Sequence, residues 1–195
     1  MLVIIMILNQ KSHATKYDRY PEIFKEISSI ITKPNKILSF GCSTGMECNT
    51  LHELYFSDSK IIGLDISEEI INKNKESNKY ENIEYISNVK KITEKFDLIF
   101  ALSVLCNWYG PGLEGEYPFK TFTDTLNLID KLLEKNGYLC IYNSKYIFTE
   151  TELFKEKYEI VNTKYNESGF VDKYNRNNIK FIGNFPLFLF RKVII

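Results

Sequence analysis

The run Ile37-Leu38-Ser39-Phe40-Gly41-Cys42-Ser43-Thr44-Gly45 joins a short apolar strand, residues 36–40, to a glycine-bounded turn, and a helical segment ending near Phe56 follows at once. Glycines in such a turn let the backbone approach a ligand closely, with amides and a helix amino terminus turned toward it. The spacing is GxxxG, so it does not meet the GxGxxG pattern of a dinucleotide pyrophosphate loop, and the missing GK[ST] excludes a Walker-type phosphate loop. A second strand, residues 60–64, closes on Asp65, about 20 residues beyond Gly45, where a carboxylate in this topology accepts hydrogen bonds from a ribose diol. A ligand carrying ribose without a pyrophosphate fits both features.

Outward from this unit, helix and strand signals alternate, the pattern of an α/β domain. Upstream, residues 20–31 carry Ile23, Phe24, Ile27, Ile30 and Ile31 on a helical stripe, with Pro21 at its tolerant first turn. Downstream, Ser67 is a plausible N-cap, and Glu68 and Glu69 follow where the helix dipole favours negative charge. Residues 82–86 form a weak third strand. Residues 96–102 are a nearly continuous apolar fourth, the pattern of a central parallel strand buried on both faces. A Gly/Pro-rich loop over residues 107–118 precedes a helix over 119–134, which Asn136 and Gly137 stop, and a fifth strand over 137–142. Residues 158–165 and 185–194 offer two more strands with no full crossover helix between them, which predicts antiparallel neighbours.

With 195 residues and a hydrophobic fraction of 44%, the chain can fill the core of one domain. Residues 1–15 read as a flexible leader, 16–34 as an N-terminal helical cap and 35–195 as the core. Formal net charge is zero, and arginine occurs only at Arg19, Arg176 and Arg191, so no strong nucleic-acid signal is present. The four cysteines Cys42, Cys48, Cys106 and Cys140 form no CxxC pair, which predicts reduced, buried thiols in a cytoplasmic protein and no metal site. The apolar run at residues 1–8 is far shorter than the roughly 20 residues that span a bilayer, so no membrane association is expected.

Residues 37–45 resemble motif I of the class I, Rossmann-like methyltransferases that use S-adenosylmethionine. Ile61-Ile62-Gly63-Leu64-Asp65-Ile66-Ser67 resembles the acidic-loop motif that follows it. Phe96-Asp97-Leu98-Ile99-Phe100-Ala101-Leu102-Ser103-Val104-Leu105 is similar to the fourth motif, and Leu132-Leu133-Glu134-Lys135-Asn136-Gly137-Tyr138-Leu139 to the turn before strand five. The resemblance implies a three-layer αβα sandwich with a mostly parallel seven-stranded sheet and an antiparallel C-terminal strand. It implies S-adenosylmethionine as cofactor, Gly41, Cys42, Ser43, Gly45 and Asp65 as its binding residues, and Ile66 beside the adenine. Asn88 and Val89 would stand at the other adenine edge, with Ala101, Leu102 and Ser103 as the floor.

Three positions depart from the family pattern. Ser39 stands where the family usually carries an acidic residue that helps fix the methionine end through its amine, Ser43 where glycine is usual, and Asn88 where aspartate is common. Trp108 and Tyr109, in the loop after strand four, are candidates for a substrate wall. The cluster Tyr17, Asp18, Arg19 and Tyr20 could fold over the cofactor and bring Arg19 to its carboxylate. Direct methyl transfer needs alignment more than chemistry from the protein; Tyr109, Glu114 and Glu116 are the candidates for a general base. A small-molecule acceptor is favoured, the oligomeric state being left open. Two alternatives stand beside this one: an inactive S-adenosylmethionine-binding partner subunit, suggested by Ser39, and an NAD(P)-dependent oxidoreductase.

Overall fold

Every residue of the first strand after Lys36 is buried, because the strand lies inside a parallel sheet covered on both faces. In the computed structural model, which describes residues 13–107 and 116–193, this strand, β1 (Lys36–Phe40), pairs in parallel with β2 (Lys60–Leu64) on one side and β4 (Phe96–Leu102) on the other. The seven-stranded sheet has the order β3-β2-β1-β4-β5-β7-β6, where β3 is Ile83–Ile86, β5 Leu133–Tyr142, β6 Tyr158–Ile160 and β7 Leu189–Lys192. Successive strands step outward from β1 to β3, and the chain then returns to the other side of β1, so a topological switch point opens at the carboxyl ends of β1 and β4. β7 is antiparallel to both β5 and β6, the C-terminal reversal expected from the sequence.

Alternate side chains leave the sheet on opposite faces. Leu38, Ile99 and Leu139 meet Phe122, Leu126 and Ile129 of α4 (Phe119–Leu132), with α5 (Glu152–Lys157) beside them. Ile37, Ile61, Leu98 and Phe100 meet Ile23, Phe24 and Ile27 of α1 (Pro21–Ile30), together with Ile71 of α3 (Glu68–Ser77). The short α2 (Met46–Thr50) runs into a π-helical turn, Leu51–Tyr55, that sets Leu51 into the same core. These are the two outer layers of the sandwich.

The start of β5 differs from the sequence expectation. α4 ends at Leu132 and β5 begins at once at Leu133, which pairs with Phe96; the register then shifts between Phe96 and Leu98, and Asn136 takes φ 62°. The Asn-Gly signal that looks like a helix stop is therefore an irregularity inside the strand. Between β3 and β4 the chain makes only the 3₁₀ turn Val89–Lys91.

Candidate functional site

The turn after β1 is built on left-handed residues at alternate positions: Gly41 (φ 82°), Ser43 (φ 49°) and Gly45 (φ 77°). A side chain at Gly41 would put its Cβ 2.5 Å from Val104 Cγ2, and one at Gly45 would meet the Tyr85 hydroxyl at 2.5 Å, so both positions need glycine on two counts. The sequence expectation of loop amides turned toward a ligand is only partly met. The Gly41 and Cys42 N–H groups donate to Leu64 O (2.7 and 3.0 Å), and Gly45 N–H donates to Cys42 O (3.0 Å). Ser43 N–H donates to Asp65 Oδ2 at 3.0 Å, while Oδ1 of the same carboxylate accepts from Ser67 N–H at 3.0 Å. The turn is thereby locked to the end of β2, and recognition falls to side chains around it.

Those side chains line one cleft over the switch point, about 610 Å³ of free space including the part open to solvent. Of the sequence-predicted cofactor residues, Gly41, Cys42, Ser43, Asp65, Leu102 and Ser103 line it. Gly45 lies behind the turn against Tyr85, and Ala101 is fully buried within β4. Ile66, Asn88 and Val89 stand at the carboxyl ends of β2 and β3 and do not line the cleft; Val89 is buried, and the Asn88 side chain accepts from Lys90 N–H at 3.0 Å, capping the 3₁₀ turn. Trp108, Tyr109 and Glu114 lie outside the described residues. Glu116 is exposed, away from the cleft, its carbonyl accepting from Asn107 Nδ2 at 2.9 Å.

The segment before α1 crosses the cleft. Ser43 Oγ donates to His13 O at 2.9 Å, and Arg19, which lines the cleft, donates to Ala14 O at 2.7 Å with its guanidinium over the Tyr20 and Phe170 rings. Tyr17 and Asp18 instead anchor this cap: Tyr17 OH donates to Glu53 Oε2 (2.6 Å), and Asp18 takes a hydrogen bond from Tyr55 OH (3.0 Å) and gives one from its N–H to Thr50 Oγ1 (2.8 Å). The Tyr20 hydroxyl sits 2.6 Å from Ser103 Oγ, and Asn143 Nδ2 donates to both oxygens at 3.0 Å. Ser103 (φ 54°) and Asn143 (φ 53°), at neighbouring strand ends, both hold left-handed backbone, the kind of strain that persists where surrounding structure over-determines it. Burial pushes the Tyr20 phenol above its ordinary pKa.

Glu47 is among the cleft residues that the sequence motifs do not mark. Glu47, in the first turn of α2, accepts a hydrogen bond from Ser39 Oγ at 2.7 Å, and burial pushes its carboxyl up to about 7 against the opposing effects of Ser39 and Arg19. The available signal was the pairing of a serine at position 39 with a glutamate at the start of the next helix. Among the described residues, no cluster of three or more His, Cys, Asp or Glu is placed to hold a metal ion, and no helix is long and apolar enough to cross a membrane.

A parallel sheet with this order, a ligand turn after β1 and an acidic residue after β2 define a Rossmann-like methyltransferase architecture. The family model described as a methyltransferase domain matches residues 31–180, and the chain belongs to that family. Among solved structures, the chain is similar to PKMT2 from Rickettsia typhi in complex with AdoHcy, at 24% identity over 63% of this chain and 24% of that one, TM-score 0.46. It is also similar to human N-acetylserotonin methyltransferase in complex with SAM, at 19% identity over 55% of this chain and 29% of that one, TM-score 0.44. A third is the plantazolicin methyltransferase BamL with a triazolic desmethylPZN analog and SAH, at 26% identity over 59% of this chain and 40% of that one, TM-score 0.44. The matched region thus spans between a quarter and two fifths of these proteins' lengths. No curated protein matches the chain.

Proposed function

We propose that this methyltransferase domain takes S-adenosylmethionine as cofactor and transfers its methyl group to a small-molecule acceptor. The observation that carries the proposal is the meeting, in one cleft, of a fixed carboxylate (Asp65) and a guanidinium (Arg19) beside Gly41, which puts no side chain in the way. These groups fit a nucleoside with an amino-acid tail: Asp65 keeps lone pairs free for ribose hydroxyls beyond its two backbone bonds, and among the described residues Arg19 donates one hydrogen bond, to Ala14 O, while its planar guanidinium fork suits a carboxylate. Ile66, Asn88 and Val89, next along the strand ends from Asp65, are assigned the adenine side. Leu102 and Ser103 form the floor, with Ala101 beneath them.

When bound, the cofactor supplies an activated sulfonium methyl group. The chain's own residues bind, orient and exclude water. The cap of residues 13–20 covers the cleft, and the Tyr20–Ser103–Asn143 cluster fixes its floor at the strand ends. Trp108 and Tyr109 are kept as the acceptor wall, and Tyr109 and Glu114 as proton acceptors. The exposure of Glu116 away from the cleft argues against that role for it. A small acceptor suits the zero net charge and the scarcity of arginine. The four free, buried thiols suit a reducing, cytoplasmic setting.

Calorimetric titration with S-adenosylmethionine, S-adenosylhomocysteine and NADH tests the proposal, with Asp65→Ala as control. Micromolar binding of the two sulfur nucleosides, lost in the control, is expected. Binding of NADH in their place would return the domain to the nicotinamide alternative.

A further inference from the structure

Ser39 leaves β1 without the carboxylate that the family usually carries there, yet a carboxylate occupies that side of the cleft. Long side chains on a helix lean back toward its amino terminus. Glu47, in the first turn of α2, does so, and its Oε1 comes within 2.7 Å of Ser39 Oγ. The serine acts as a donor that orients the glutamate, a role no aspartate or glutamate at position 39 could play at neutral pH. Glu47 lines the cleft with Arg19, Gly41 and Asp65, and among the described residues it forms no ion pair. A half-buried carboxylate held by a single hydroxyl is under-solvated, as its raised pKa reflects, and a cation arriving in the cleft would complete its solvation.

Arg19, in the bend just before α1, supplies the opposite charge. It and Glu47 face one cleft without pairing with each other, which leaves one cationic and one anionic group free to meet a zwitterion. We infer that Glu47 binds the ammonium group of the cofactor's amino-acid end, a carboxylate displaced from strand to helix that replaces the one absent at Ser39, while Arg19 takes the carboxylate of the same zwitterion. This inference rests on the cofactor reading above and deepens it.

The test compares S-adenosylhomocysteine with 5′-methylthioadenosine, which has the same nucleoside and lacks the amino-acid end, by calorimetry at pH 8 on wild type, Glu47→Gln and the double variant Ser39→Asp/Glu47→Gln. Loss of one charge-assisted hydrogen bond predicts that Glu47→Gln weakens S-adenosylhomocysteine roughly 10- to 100-fold. Its affinity for 5′-methylthioadenosine should stay that of wild type, which also shows that the variant is folded. The double variant, with an acid restored on β1, should regain much of the loss. Equal binding of S-adenosylhomocysteine by wild type and Glu47→Gln overturns the inference, as does an equal loss of both nucleosides, which would make Glu47 a support of the turn only. If wild type binds neither nucleoside, the cofactor reading itself falls and takes this one with it.

Discussion

The Ser43 N–H donates to Asp65 Oδ2 at 3.0 Å, while Ser67 N–H holds Oδ1 at 3.0 Å, so one carboxylate ties the ligand turn after β1 to the first turn of α3. Asn74 reinforces the same junction by donating from Nδ2 to Ser43 O at 2.7 Å. Asp65→Asn cannot satisfy both amides, because its NH₂ end must face one of them, and a buried donor set against a donor costs about 1–3 kcal/mol. Chemical denaturation should register that loss, and calorimetry should show S-adenosylhomocysteine binding at least roughly tenfold weaker. Wild-type affinity in Asp65→Asn would remove Asp65 from the site.

Glu47 gives the ligand-free fold a pH dependence of its own. Its carboxyl lies at about 7 in the folded protein against an ordinary 4.5, a shift caused first by burial, with Ser39 and Arg19 opposing it. Tyr20, Cys42 and Cys140 are raised first by burial, and the Glu47 charge adds to each shift. A raised folded pKa means that the group's contribution is fully present below pH 4.5 and is lost as pH climbs to about 7, where folding must bury the charge. Glu47→Gln lacks this loss. Relative to wild type it should gain on the order of 1–3 kcal/mol at pH 8 compared with pH 5, the lower end reflecting the solvent screening of a half-buried group. Urea unfolding at the two pH values checks this, and a wild-type-to-variant difference that does not change with pH would refute it.

Much of this arrangement is legible in the chain because local patterns carry it. The apolar runs Lys36–Phe40 and Phe96–Leu102 announce strands buried on both faces, and Gly41, Gly45 and Asp65 are spaced as the switch point requires. What escapes depends on direction or on distance along the chain. Glu47 is eight residues from Ser39, and only the backward lean of a helical side chain brings them together. The contact between Tyr20 and Asn143 spans 123 residues and has no local signature. Asn88 and Val89 sit where the family pattern puts them along the chain, at the end of β3, and what the sequence does not announce is that the Asn88 side chain caps a 3₁₀ turn there. β5 begins early because Leu133 can pair with Phe96, a tertiary gain that overrides the Asn-Gly stop signal.

The far edge of the sheet depends on Asp130. Its carboxylate receives Lys192 (2.9 Å), Lys157 (3.1 Å) and the Tyr158 hydroxyl (3.0 Å), clamping α4 onto β6 and β7. Burial alone would raise its pKa, but the two lysines outweigh it and hold the carboxyl below its ordinary value. The stabilisation is therefore present above pH 3.8 and lost as pH falls through the lower folded value. Asp130→Ala leaves the buried Lys192 ammonium with carbonyl partners only and should cost roughly 3–5 kcal/mol. Denaturant unfolding at pH 7 measures it; a loss below about 1 kcal/mol would reduce the cluster to an exposed-type pair.

Lys173 presents the opposite case, a buried amine without an acid. Its Nζ donates to Ser144 O at 2.7 Å and Ser144 Oγ at 3.0 Å, just beyond the end of β5, and no carboxylate pairs with it among the described residues. Burial lowers its pKa to about 7 from the ordinary 10.5, the Cys106 thiol opposing weakly. Between those two values the unfolded chain keeps a proton that the folded chain has released, so this group makes stability rise with pH across the window and level off above 10.5. Lys173→Met removes the titration but also strips the Ser144 carbonyl of its donor, so its net effect at a single pH mixes two contributions of opposite sign. The slope separates them. Unfolding free energies at pH 7 and pH 9.5 should show wild type gaining on the order of 2–3 kcal/mol relative to Lys173→Met across that interval. Parallel pH profiles for the two proteins would mean that the amine stays charged in the fold, drawing enough from the two Ser144 oxygens to offset its desolvation.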